Sequence, residues 1–194
     1  MKEITVDNKQ MGSSKMWLFV VLGFSAAAFL VRWAGLVIPI IGTLTNLDPR
    51  EIFITLGAAL TGPIGGAVIG FFAELPTFSF SVGRGINSMI THMVAGLLFG
   101  FLYKLLYQRI RMPLLLVGWS LLVVAYYYLF IIPMFVALLL LTGLERMSAV
   151  FGQELSFLQA YTTLGQIAWP EAVATLIITT IILIALPKKY RRPL

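Results

Sequence analysis

Glu74, Arg84, Asn87, Thr91 and His92 fall within one short stretch, and Gln166, Trp169 and Glu171 fall within another. Together they offer carboxylates, a guanidinium, amides, a hydroxyl, an imidazole and an indole in segments that otherwise carry little charge. Arg84, Asn87 and Thr91 recur at intervals of three and four, so they share one helical face and can act on one ligand. The chemistry within reach is recognition of a small polar molecule by hydrogen bonds and ion pairs. Catalysis lacks its parts: cysteine is absent, histidine occurs once, and no HExxH, GxSxG or Walker A run is present. The chain is therefore expected not to be an enzyme, and neither a metal nor a cofactor is implied.

Each candidate also has a structural reading. Glu171 can be an ion partner of Arg32 or Arg84, His92 a helix-packing residue, and Trp169 either a stacking platform or an outer-interface aromatic. Trp17, Trp33 and Trp119 read as interface-belt residues. Asp48 before Pro49 has the form of a helix start, and Glu51 suits the positive end of the helix dipole.

The elements that must position these residues follow from composition. Of 194 residues, 59% are hydrophobic and 11% charged, with a mean hydropathy of +0.94; soluble domains carry about 25% charged residues. Met112 to Thr142 contains no charge, well beyond the ~20 residues that span a bilayer as a helix. The expectation is an all-α integral membrane protein forming a single domain over residues 1–194, built as a compact bundle of six transmembrane helices. The segments are about 16–41, 50–60, 63–75, 84–107, 113–142 and 157–186. The second and third are short and meet at the helix-breaking Thr61-Gly62-Pro63. The first span is read as retained rather than as a cleaved signal, because its apolar run exceeds a signal h-region.

Basic clusters at Lys2/Lys9/Lys15, Lys104/Arg109/Arg111 and Lys188/Lys189/Arg191/Arg192 fall on one side of an even number of spans. They place both termini in the cytoplasm, with tails at 1–15 and 187–194 and an external loop at 143–156 that looks amphipathic. The net charge of +6 then reports topology, not nucleic-acid binding. Counted at 1.5 Å per residue from the inner ends, Glu171 lies about 24 Å up, Asn87 about 26 Å, His92 about 18 Å and Glu74 about 17 Å. All four fall in the middle or outer half, which argues for a polar pocket open to the outside. The acidic outer half leans towards a cationic or zwitterionic ligand. Gly62, Gly66 and Gly70, and Gly96 and Gly100 on the fourth segment, recur at four-residue intervals and read as close helix-packing faces.

The runs LGFSAAAFLVR, NLDPREIFITLGAALTGPIGGAVIGFFAEL and GINSMITHMVAGLLFGFLYKLLY resemble the substrate-binding S-components of energy-coupling factor (ECF) vitamin transporters. The resemblance covers about the first 107 residues, chiefly the L-G-A-x-x-T-G-P-x-x-G-x-x-x-G and A-G-L-x-x-G-x-x-Y patterns. It implies high-affinity binding and uptake of a small water-soluble micronutrient in a prokaryotic cell membrane. The implied partners are a transmembrane coupling subunit and two cytoplasmic ATPases, with the outward pocket closed by external loops. It also implies a docking face of small residues on the first helix, here Gly23, Ala26 and Ala27. The glycine core with Asn46 and Arg50 is also similar to the membrane sensor domain of the LytS type, and a cell-envelope scaffold is a third reading.

Overall fold

A computed structural model describes residues 8–40, 46–109, 112–144, 146–187, 191 and 193. Lys2 and the clustered residues Arg111, Lys188, Lys189 and Arg192 lie outside the described residues. The elements run α1 (Asn8–Trp33), a two-residue antiparallel ribbon β1 (Ile38–Pro39) and β2 (Asn46–Leu47), and α2 (Arg50–Glu74). A 3-10 turn (Leu75–Ser79) leads to α3 (Val82–Arg109), followed by α4 (Met112–Ala125), a π-helical segment (Tyr126–Ile131) and α5 (Ile132–Thr142). The short α6 (Met147–Phe151) and the long α7 (Phe157–Ala185) complete the chain.

Among the described residues five stretches are long and apolar enough to cross a membrane: Ser14–Trp33, Arg50–Ser79, Val82–Arg109, Leu114–Thr142 and Phe157–Ala185. The chain thus has the make-up of a multi-pass, helical membrane protein. Its outward surfaces are apolar, as on α1, where Leu18, Phe19, Leu22 and Leu30 are exposed. The first helix differs from its expected range at both ends. It begins within the polar leader, at Asn8, and stops at Trp33 because Gly35 adopts φ +62, a conformation open to glycine.

The expected second and third segments lie within the single element α2. Gly62 interrupts it with φ 76 and ψ −168, and Pro63 follows with no N–H to offer a preceding carbonyl. A straight 25-residue helix would separate its ends by about 36 Å, yet the Arg50 guanidinium bonds the Glu74 carboxylate. The side chain of Ile69 likewise packs on Gly57. The two arms therefore face each other about Gly62, and both termini of α2 meet at one end.

Glycine governs how α3 seats on this pair. A Cβ on Gly66 would strike the Gly96 carbonyl, and one on Gly96 would strike the Gly66 carbonyl. Gly100 stands against the backbone of Gly62, and Gly70 against that of His92. Four glycines, Gly66 and Gly70 on α2 and Gly96 and Gly100 on α3, thus remove the side chains that would hold two backbones apart.

On the other side of α3 a ring cluster ties in the remaining helices. Phe99 meets Trp119 and Tyr126 edge to face at centroid distances of 5.3 and 5.6 Å, and Tyr103 meets Trp119 at 5.5 Å, the geometry favoured by ring quadrupoles. Trp119 is fully buried and donates to Thr179 Oγ1 on α7 at 3.2 Å. This corrects its reading as an interface-belt residue: the indole N–H has found a partner inside the bundle. Trp33 is exposed, whereas Trp17 is half-buried and donates to the Thr61 carbonyl at 2.8 Å.

Candidate functional site

The chain enters α2 through Asp48-Pro49-Arg50. Asp48 Oδ1 accepts the Arg50 backbone N–H at 3.1 Å, and proline supplies a φ of −63 for the first turn. Because the ends of α2 meet, Arg50 and Glu51 from its start come to lie beside Glu74 from its end. Arg50 forms ion pairs with Glu74, with Asp48 at 2.9 Å and with Glu51 at 3.5 Å. Arg32 at the end of α1 adds a contact to Asp48 at 3.7 Å and donates to Thr77 Oγ1 at 3.1 Å. Thr77 in turn donates to Glu74 Oε2 at 2.8 Å. Burial pushes the Asp48 carboxyl above its ordinary range, against the opposing pull of the Arg50 guanidinium.

His92 on α3 closes the network. Its Nε2 lies 2.9 Å from Glu51 Oε1, while its Nδ1 lies 3.0 Å from Glu74 Oε1 and 2.8 Å from the Ser88 carbonyl. The ring therefore bridges the two arms of α2, and these neighbours are all oxygen acceptors. The close approach of Gly70 to the His92 backbone sets this register.

The π-helical segment contributes two adjacent tyrosines. Pro133 lacks the N–H that would bond the carbonyl four residues back, and a local widening of the ladder is one way to absorb that loss. Tyr126 and Tyr127 both point inward: Tyr126 donates to Glu51 Oε2 at 2.6 Å, and the Tyr127 hydroxyl pairs with Thr175 Oγ1 at 2.9 Å. Tyr126→Phe leaves a buried carboxylate oxygen short of a donor and should lower stability by about 1–3 kcal/mol. The check is the melting temperature of the purified protein in detergent. Tyr127→Phe, which disturbs only a neutral hydroxyl pair, should shift it less.

Between this network and α7 lies a cavity of about 260 Å³. Asp48, Arg50, Glu51, Ser88, Thr91, His92 and Glu171 form its polar wall, and Ile131, Ile132, Phe135, Leu164, Ile167 and Ala168 its apolar wall, with Tyr127 between them. Glu171 Oε1 accepts the Asp48 backbone N–H at 3.0 Å, which joins α7 to the entrance of α2. No group of three or more metal-ligating side chains occurs among the described residues.

The eight expected binding residues are distributed unevenly about this cavity. Thr91, His92 and Glu171 line it. Glu74 stands one layer behind, fully buried and held by Arg50, His92 and Thr77. Asn87 is buried and accepts from Thr142 Oγ1 at 3.1 Å, while Arg84 is half-buried in the first turn of α3; neither lines the cavity. Gln166 and Trp169 are exposed and stand outside it. The reason is helical phase: Leu164, Ala168 and Glu171, spaced four and three, face inward, and residues 166 and 169 fall on other faces.

Asp48, Arg50 and Glu51 were legible as a helix start but not as site residues. Their available signal was three charges in four positions at the mouth of an apolar run. Of the expected docking residues, Gly23 and Ala26 are exposed on α1, Ala27 is half-buried, and nothing lies within 4 Å of a Cβ built on Gly23. Comparisons with protein-family models, with curated proteins and with solved structures each return no match to this chain.

Proposed function

We propose that this protein binds a small water-soluble micronutrient and serves as the substrate-specificity subunit of an ECF-type transporter in a prokaryotic plasma membrane. The observation that carries the reading is the cavity between the ion-pair network and α7, polar on one wall and apolar on the other, inside an otherwise apolar bundle. Ionisable groups at such depth are costly and are kept where they do work. The two arms of α2 count as separate membrane segments in this reading, making six, with both termini cytoplasmic and the cavity mouth outside. ATP hydrolysis belongs to two partner ATPases, which act through a transmembrane coupling subunit.

The outward small-residue patch on α1 is the docking face in this proposal. Gly23→Leu and Ala27→Leu should each abolish co-purification with the coupling subunit while the purified chain keeps its ligand. Normal uptake in cells carrying either variant would place docking elsewhere.

The test of the function is native mass spectrometry of the tagged protein extracted gently from its own host membranes. A retained small-molecule mass together with a coupling subunit and ATPase pair supports the transporter. A complex with signalling or cell-envelope proteins, and no retained ligand, moves the reading to a sensor or a scaffold.

A further inference from the structure

The cavity has an uneven charge balance. Its wall sets Asp48, Glu51 and Glu171 against Arg50 and His92, with Glu74 and Arg32 behind them paired to Arg50 and Asp48. Even with the imidazole counted as a cation, acids outnumber bases. The guanidinium of Arg50 is committed to three carboxylates, so it is poorly placed to receive an anion. Glu171 is the acid left over: among the described residues no Arg, Lys or His side chain forms an ion pair with it, and its carboxylate accepts instead from the backbone N–H of Asp48. A partly buried carboxylate without a cationic partner gains from a counter-charge. The opposite wall, with Ile131, Phe135, Leu164 and Ile167, offers no polar side chain and suits a hydrocarbon or planar ring.

We propose that this cavity selects an organic cation, a protonated amine or cationic heterocycle, whose charge lies against Glu171 and whose apolar body lies against the α5 and α7 wall. The inference rests on the cavity being the ligand site of the function proposed above and narrows that ligand's chemical class. Anions are rejected because they would meet the acidic excess with the Arg50 guanidinium already occupied.

Three nearly isosteric probes separate charge from shape: tryptamine, tryptophol and indole-3-propionate, titrated by thermal shift and calorimetry into the purified full chain in lipid nanodiscs. Tryptamine should bind most tightly, and Glu171→Gln should weaken it about tenfold or more while leaving tryptophol little changed. Equal or tighter binding of the propionate, or no binding of tryptamine to the wild-type chain, overturns the inference. The wild-type ranking stands even if Glu171→Gln fails to fold. Cation selectivity in a chain that never co-purifies with a coupling subunit would keep this inference and sink the transporter reading, and anion selectivity in one that does would do the reverse.

Discussion

Arg50→Met should be the most damaging single substitution in the protein, leaving little folded monomer after extraction into mild detergent. The guanidinium holds Glu74, Asp48 and Glu51 at one point inside the bundle, and Glu74 is fully buried. Removing one partner of a buried ion pair costs about 3–5 kcal/mol, because the remaining charge stays buried without compensation. Here three acids lose the same partner, and His92 cannot satisfy them all. The measurement is the monodisperse fraction on size exclusion together with the melting temperature. Glu74→Leu placed in the same chain should recover part of the loss, since it removes the most deeply buried of the stranded carboxylates. A single Arg50→Met variant as stable as the wild type would show that the network does not hold the two ends of α2 together.

The second large effect is expected at the glycine contact between α2 and α3. Gly96→Val should destabilise the bundle by about 1–3 kcal/mol or more, the range for overpacking a filled interior. Its Cβ alone would already stand 2.7 Å from the Gly66 carbonyl carbon, and backbone cannot rotate aside as a side chain can. Gly23→Val on the outer face of α1, where nothing lies within 4 Å, is the matched control and should be neutral. Gly70→Ala should couple packing to the site. Its methyl would meet the His92 carbonyl carbon at 2.6 Å, pushing His92 away from Glu51 and Glu74. A loss of ligand retention in Gly70→Ala that exceeds the loss in Gly96→Ala, at a comparable drop in melting temperature, would identify that coupling. Unchanged stability in Gly96→Val would mean that α3 is not held by backbone contact.

The same close contact explains how the candidate site came to be only partly readable. Small residues every fourth position in α2 and α3 announce a tight helix pair in sequence, since in lipid only close approach rewards such spacing. What they do not announce is which polar residue lands opposite which. His92 reads alone as a single histidine on an apolar helix; its meaning comes from two carboxylates separated by 23 positions that the reversal at Gly62 brings to either side of it. Glu51 reads alone as a favourable charge at a helix start, an adequate local role that conceals its burial against Tyr126.

What the sequence determined by itself was the helical, apolar make-up of a membrane protein; it reads as six segments, where five stretches among the described residues are long and apolar enough to cross. Apolar runs as long as a bilayer is thick, interrupted by few charges, favour membrane-crossing helices, because lipid offers no partner for an unpaired backbone group. It also marked Gly62-Pro63 as a helix-breaking pair, where α2 departs from helical geometry at Gly62, and the glycine faces on which α2 and α3 pack. The tertiary structure alone decided which face of each helix looks inward. On α7 that phase puts Leu164, Ala168 and Glu171 at the cavity and leaves Gln166 and Trp169 outside. On α3 it chooses Ser88, Thr91 and His92 over Arg84. In a helix apolar on all sides the hydrophobic pattern has no preferred direction, so rotation about the axis is set by the neighbours: by glycine contacts for α3, and for α7 by Thr175 and Thr179 bonding to Tyr127 and Trp119.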